Sequence, residues 1–343
     1  MELDIEDFAA LRIYLAEHRH LRPDEAVSFK KLFGGVSNRT VRVGWPDGRA
    51  WVLKQALAKL RVEVDWFSSP ERIAVEAKAL RWLNSLAPAG TTPEFIFEDP
   101  VNYLLAMAAV PEAHENWKQL LLSGQIVSDH FEQSGFLLGR IHRRSSEPGL
   151  ELRQAFANTE YFESLRLDPY YRHSAKNVPA AAAFLDALAR ETLLYKISLV
   201  HGDFSPKNIL IYQGKLILLD YEVVHFGDPA FDVGFVFAHF LSKANHLSEK
   251  RDLLAAAALT FWRAYRREID ALPWAQEAEP RMVRHALACL LARVAGKSVL
   301  EYLEPHEIVR QREVVLALMA TAPTRISDLV SEFIARIEAH AKN

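Results

Sequence analysis

The sequence predicts an α+β, bilobed protein: a small N-terminal lobe of antiparallel sheet with one main helix, then a large, mainly helical C-terminal lobe. Three observations predict it. Strand and helix signals mix over roughly the first 110 residues. Helical periodicity dominates the remaining ~230, interrupted by one hairpin. The 343-residue chain is half hydrophobic, enough for a sizeable core. A soft prior of about 150 residues per domain makes it two domains or one bilobed unit. The expected division is 1–110 and 111–343, with a linker near Ala108 to Glu112.

Each element has a local reason. Leu3 to His18 reads as an amphipathic helix, and Ser28 to Val43 and Arg49 to Ala56 as strands joined by the turn Trp45-Pro46-Asp47-Gly48. Ser69-Pro70 opens a helix, with Ser at the N-cap and Pro at the first helical position. Its buried stripe is Ile73, Ala77, Leu80 and Leu83. Glu94 to Glu98 and Tyr103 to Ala108 are strands split by Asp99-Pro100. Beyond Pro111 the helical stretches are Val127 to Arg144, Val178 to Lys196, Ser248 to Ile269, Arg281 to Ala295 and Ile326 to Ala341. The hairpin runs from Ile209 to Tyr212, turns at Gln213-Gly214 and returns from Lys215 to Tyr221.

Composition excludes several classes. With 41 basic against 44 acidic side chains the net charge is −3, which disfavours a bulk electrostatic nucleic-acid binder. No stretch approaches the roughly 20 apolar residues of a membrane span. The acidic N-terminus lacks signal-peptide character, and the lone Cys289 has no internal disulfide partner, so a cytoplasmic setting is expected. The thirteen histidines show no structural-zinc spacing, and neither a Gly-x-Ser-x-Gly elbow nor a dinucleotide glycine fingerprint occurs.

The chemistry concentrates in His201-Gly202-Asp203-Phe204-Ser205-Pro206-Lys207-Asn208 and, after the hairpin, Leu219-Asp220-Tyr221-Glu222. Read as the end of an apolar strand, Asp220 and Glu222 face one way, since residues two apart share a face. Two convergent carboxylates suit Mg²⁺, which takes one or two carboxylates plus phosphate oxygens; a solvated strand end accounts for the pair equally well. The order His-x-Asp-x-x-x-x-Asn, a hairpin, then an acid is the layout of a kinase-type catalytic loop. Phosphoryl transfer needs a carboxylate to orient the acceptor hydroxyl, an amide and an acid for the metal, and a cation near the moving phosphate. Asp203, Asn208, Asp220 with Glu222, and Lys207 supply those types in order.

These residues, with Gly227-Asp228-Pro229-Ala230-Phe231-Asp232, resemble the aminoglycoside phosphotransferase and choline kinase superfamily, small-molecule kinases of protein-kinase-like fold. The N-terminal lobe most resembles 5-methylthioribose kinase, through Gly34-Gly35-Val36-Ser37-Asn38, Val52-Leu53-Lys54-Gln55-Ala56-Leu57, Glu71-Arg72 and Glu76-Ala77. The Asp220-x-Glu222 pair and, more weakly, Phe162 to Tyr170 share that likeness, whereas Ser205 to Asn208 reads like other branches. The resemblance implies an ATP- and Mg²⁺-dependent enzyme acting on a hydroxyl of a small molecule: a sugar, thiosugar, amino alcohol or aminoglycoside. Asp203 would be its base, Asn208, Asp220 and Glu222 its metal ligands, and Gly34, Gly35, Ser37 and Asn38 its phosphate loop. Lys54, positioned by Glu76, would reach the α- and β-phosphates, and backbone groups of Ala108, Ala109 and Val110 would read the adenine edge.

The residues support part of this independently. An ammonium in the apolar strand Trp51-Val52-Leu53 needs an anionic neighbour, and Glu76 lies on the core-facing edge of its helix. His201 is expected to support the catalytic loop, Asp232 to cap a helix or brace that loop, His142 to pack or cap its helix, and Asp228 to be a candidate acceptor contact. Gly296-Lys297-Ser298 lacks the first glycine of a Walker loop, but Arg293 and Lys297 are candidates for lining an anionic substrate pocket. The rival reading is a nucleotide-binding module that transfers nothing; the intact set Lys54, Asp203, Asn208 and Asp220 weighs against it.

Overall fold

Alternation along five strands decides how the N-terminal region packs. The computed structural model describes residues 3–33, 35–62, 65–147 and 151–341. Helix α1 (Phe8–Glu17) precedes strands β1 (Ser28–Lys31), β2 (Asn38–Gly44) and β3 (Ala50–Ala56). Helix α2 (Arg72–Leu86) follows, then β4 (Phe95–Asp99) and β5 (Leu104–Ala108). The sheet is antiparallel, in the order β1-β2-β3-β5-β4. Val41, Val43, Leu53, Leu104 and Ala106 point to one face and pack with Leu11 and Leu15 of α1. The intervening Ala56, Leu105 and Met107 point to the other and join Ile73, Ala77 and Leu80 of α2 in the main core. Period two thus puts Lys54 on the α2 side.

Several boundaries differ from the sequence reading. The stretch Ser28 to Val43 is two antiparallel strands rather than one, broken around the Gly34-Gly35 loop. Helix α1 starts only at Phe8, because the Asp7 side chain accepts from Ala9 N and Ala10 N and caps it there. The Ser69 hydroxyl accepts the Glu71 N–H at 3.3 Å, as a cap does, but residues 70–71 form a turn and α2 itself begins at Arg72.

After β5 come β6 (Glu115–Asn116), α3 (Trp117–Leu122), α4 (Ser128–Ser145) and the short α5 (Leu152–Ala155) and α6 (Glu160–Phe162). A π-helical stretch, Glu163–Arg172, runs into α7 (His173–Asn177). Pro169 inside it has no N–H to donate, which favours a departure from α-helical bonding. Then follow α8 (Ala182–Leu194), β7 (Ser198–Val200), β8 (Ile209–Tyr212), β9 (Lys215–Leu218) and β10 (His225–Gly227). The chain ends in α9 (Ala230–His246), α10 (Arg251–Ile269), α11 (Ala275–Ala295), α12 (Pro305–Ala320) and α13 (Ile326–Ala341).

The hairpin β8–β9 turns through Gln213 and Gly214, both at positive φ, as a type I′ turn requires. It is not the sole β structure of this region: β6 extends it to three strands, and β7 pairs with β10. Helices α4 and α10 cross closely, since a Cβ on Gly135 would stand 2.2 Å from the Phe261 carbonyl oxygen. Helix α9 is buried along almost its whole length, which explains the apolar tract Val233 to Leu241, broken by His239. Among the described residues no helix is long and apolar enough to cross a membrane.

Candidate active site

The loop between β7 and β8 is held from behind. Asp232, in the first turn of α9 and fully buried, accepts the N–H groups of His201 (2.7 Å) and Gly202 (2.8 Å). Burial raises its pKa, but bonds from His142 and the His201 amide outweigh this and hold the carboxyl below the usual range. His142 Nε2 lies 3.2 Å from the same carboxylate. Asp232 therefore braces the loop and His142 supports Asp232. His201 Nδ1 accepts the Asp203 N–H and its Nε2 reaches the Leu219 carbonyl, joining the loop to the segment before Asp220. Gly202 sits at φ +75°, and a Cβ there would meet Val223 Cγ2 at 2.8 Å.

These supports aim Asp203 into a cleft of about 320 Å³. Its Oδ2 takes two donors, Asn208 Nδ2 at 2.6 Å and Arg166 Nη2 at 3.0 Å. Oδ1 is thereby the oxygen left to meet a hydroxyl. Arg166, buried in the π-helical stretch, also donates to the Gly202 carbonyl at 2.6 Å. Burial would lower the Arg166 pKa, but Asp203 outweighs it and keeps the guanidinium firmly charged. Because the Asn208 amide nitrogen is spent on Asp203, its oxygen is left to face other partners.

Across the cleft, Lys54 Nζ contacts Glu76 at 2.7 and 2.8 Å and Asp220 Oδ1 at 2.7 Å. Burial would lower the Lys54 pKa; the carboxylates of Asp220 and Glu76 outweigh it and hold it up. Burial would raise Asp220, but Lys54, Lys207 and Arg166 hold its carboxyl well below the usual range. One ammonium faces two carboxylates, so Glu76, fully enclosed, is pushed upward by burial against the pull of Lys54.

The strand reading of Asp220 and Glu222 is corrected. Strand β9 ends at Leu218, and Asp220 adopts φ +72°, a strained conformation for a residue with a Cβ. Both carboxylates line the cleft, but a turn in the chain brings them there rather than strand alternation. Glu222 is engaged: Arg72 Nε donates at 3.0 Å and Asn38 Nδ2 at 3.3 Å to its Oε2. Arg72 also donates to the carbonyls of Leu57, Ser68, Ser69 and Ser37, tying the segment before α2 to the glycine loop. The Asn38 amide oxygen beside Glu222 is buried with no hydrogen-bond partner among the described residues.

Other expected residues fall out differently. Gly34 lies outside the described residues, while Gly35 and Ser37 line the cleft. Lys207 lines it as well. The N–H groups of Ala108 and Ala109 are spent on the Glu94 and Ala50 carbonyls, and neither they nor Val110 line this cleft. Of these three, the Val110 N–H alone makes no such bond among the described residues. Asp228 makes no cleft contact; buried, it is clamped by Arg281 Nε at 2.8 Å and Nη2 at 3.3 Å. Arg293 lines the cleft and Lys297 does not. Arg166 was missed. A charge between two leucines in a helical stretch is the only local cue to it, and its partner lies 37 residues away.

The phosphotransferase enzyme family matches residues 28–272, most of the chain. The chain belongs to that family. Within it, the superfamily is that of aminoglycoside phosphotransferases and choline kinases. Methylthioribose kinase of Klebsiella pneumoniae (strain 342) is 26% identical over 246 residues, covering 64% of this chain and 61% of that protein. The chain thus spans less than two thirds of that relative's length. Methylthioribose kinase of Pectobacterium carotovorum subsp. carotovorum (strain PC1) is 22% identical over 337 residues, covering 83% and 84%. Among solved structures, amicoumacin kinase hAmiN aligns with TM-score 0.58 at 15% identity, over 94% of this chain and 98% of that one. A choline/ethanolamine kinase family protein from Mesorhizobium loti aligns with TM-score 0.55 at 15% identity, over 97% and 99%. These likenesses show the shared fold, the protein-kinase-like α+β class.

Proposed function

We propose that this protein is an ATP- and Mg²⁺-dependent phosphotransferase that phosphorylates a hydroxyl of a small polar molecule. The observation that carries the reading is one cleft lined by two differently prepared carboxylates. Asp203 has one oxygen tied by Asn208 and Arg166 and the other left for a hydroxyl. Asp220 is kept ionised by Lys54, whose own position Glu76 sets. Residues 1–110 would form the nucleotide lobe and 111–343 the acceptor lobe, in a cytoplasmic setting where ATP is at hand.

The donors present fit a hard divalent cation. The second Asp220 oxygen and the Asn208 amide oxygen are oxygen ligands left open by the hydrogen bonds already made, and Glu222 stands beside them. When bound, Mg²⁺ supplies neutralisation of charge on the β- and γ-phosphates. Lys54 would contact the α- and β-phosphates, and the loop of Gly34, Gly35, Ser37 and Asn38 would cover them. The open donor at the sheet edge is the Val110 N–H, with the carbonyls of Ala108 and Ala109 beside it as acceptors for the adenine edge. Asp203 Oδ1 would orient the acceptor hydroxyl and take its proton late in a loose transition state, and Lys207 would offset charge on the moving phosphoryl group.

The test is ADP release with ATP, Mg²⁺ and a panel of hydroxyl compounds. Asp203→Ala should retain nucleotide affinity while losing about 10²–10⁴-fold in turnover. Asp220→Ala should weaken nucleotide binding only when Mg²⁺ is present, read by calorimetry with and without the metal. ATP binding with no turnover on any acceptor overturns the enzyme reading in favour of a nucleotide-binding module.

A further inference from the structure

The cleft has a second wall, built by α3, α9, α11 and the segment after α11, that the transfer machinery does not use. Lys118, His239, Arg293 and Ser298 stand on it. Most charges around the cleft are matched: Arg166 with Asp203, Lys54 with Asp220, Arg72 with Glu222, Lys118 with Glu301. Three cations are not. Among the described residues no carboxylate oxygen lies within 4 Å of Lys207, Lys243 or Arg293.

Arg293 is built in rather than trailing in solvent. It is only 6% exposed, with Nη1 donating to the Ser298 carbonyl (2.9 Å) and hydroxyl (3.1 Å), while Nε is buried with no partner among the described residues. Nη2 donates to His239 Nε2 at 3.0 Å, which requires a neutral imidazole accepting there. Burial, with Arg293 and Lys243 nearby, holds His239 well below its ordinary range, so it orients the guanidinium without adding charge. Lys243 is completely buried; its closest hydrogen-bond acceptor is the His239 carbonyl at 3.5 Å, and its ammonium lies 5.3 Å from the Tyr302 ring. Tyr170 and Phe235 connect this wall to the catalytic loop. Arg293 lies 4.7 and 5.0 Å from their ring centres, and Arg166, partner of Asp203, lies 6.0 and 5.9 Å from the same two rings.

Arg293 at the cleft wall, with Lys243 buried near it, leaves a desolvated positive field that an anion would relieve. We infer that the acceptor carries an anionic group, a carboxylate or a phosphate, which Arg293 anchors in the field of Lys243 while its hydroxyl faces Asp203. This rests on the phosphotransferase reading and narrows it: a polycationic acceptor meets a wall of its own sign. Arg293 acts here as a specificity determinant, since it holds the acceptor and takes no part in the transfer.

The test needs no nucleotide, so it stands apart from turnover. Ligand-observed NMR and calorimetry would compare ribitol, D-ribonate and D-ribitol 5-phosphate on the wild-type protein, with neomycin as the cationic arm. Ribonate or ribitol phosphate should bind at least about tenfold tighter than ribitol, and which of the two binds better tells carboxylate from phosphate. Arg293→Gln should remove that preference and Arg293→Lys restore part of it, at unchanged affinity for ATP. Should Arg293→Gln misfold, Lys243→Met offers the same readout, with a smaller loss. Equal binding of ribitol and its anions, tighter binding of neomycin, or no anion binding up to about 10 mM overturns the inference. Turnover failing while the anion preference holds would sink only the phosphotransferase reading.

Discussion

Arg72 offers the most demanding test, because one fully buried side chain joins the glycine loop, the segment before α2 and Glu222. Arg72→Met keeps the length and the apolar stem but removes the guanidinium. Glu222, 6% exposed, would keep only Asn38 as a partner, and four backbone carbonyls would lose a donor. Breaking one side of a buried ion pair costs about 3–5 kcal/mol, because the surviving charge is stranded. With an unfolding entropy near 2.1 cal/mol/K per residue over 343 residues, each kcal/mol moves the midpoint by about 1.4 °C. The expected fall is therefore about 4–7 °C, measured by circular dichroism, with weaker nucleotide binding because Ser37 is no longer tethered. Adding Glu222→Gln should recover about 1.5–3 kcal/mol, since a neutral amide no longer needs the cation. A loss under about 1 kcal/mol, or no recovery in the double variant, would mean that Arg72 does not carry Glu222 in solution.

Three further outcomes follow from named contacts. Gly202→Ala forces an L-residue to φ +75° and drives its Cβ against Val223. It should cost about 1–2 kcal/mol or more and lower kcat well before it changes affinity for ATP; unchanged kcat would refute the role given to this turn. Burial holds His225 at about 4 against 6.5 unfolded, so its stability contribution is complete above pH 6.5 and drains away as pH falls toward 4. His225→Phe should flatten that part of the stability profile by about 3 kcal/mol, and identical profiles would contradict its being buried and neutral. Burial, with Lys118 and Arg293 beside it, pushes Lys243 down to about 7 from 10.5, against the pull of Glu301. The penalty develops as pH drops from 10.5 to 7, so Lys243→Met should gain up to about 5 kcal/mol at pH 7 and little near pH 10. A less stable Lys243→Met at pH 7 would show that the ammonium has a partner in solution.

The grouping of Asp203, Asn208 and Asp220 was readable because they are near neighbours in the chain: Asp203 and Asn208 are five apart, and a short hairpin brings Asp220 back beside them. The Lys54–Glu76 contact was readable for a different reason. A cation in an apolar strand must find a carboxylate, and the stripe of α2 left Glu76 facing it. Element types survived for the same cause, since burial imposes a period of two or 3.6 on the residues that form the core. The apolar Val233–Leu241 tract, by contrast, showed no period because α9 is enclosed on nearly every side.

What the sequence determined alone was local: the strands of the sheet, the α2 stripe, the two-residue turn at Gln213-Gly214 and the order of acids from Asp203 to Glu222. Tertiary structure decided the rest, because charge pairing depends on which distant segments meet. Arg72 reaches Glu222 across 150 positions, Arg166 reaches Asp203 across 37, and Arg281 withdraws Asp228 from the cleft across 53. No spacing rule encodes such partners. Desolvation makes each charge require one, and only the packed chain reveals that, among the described residues, Arg293 and Lys243 meet no carboxylate.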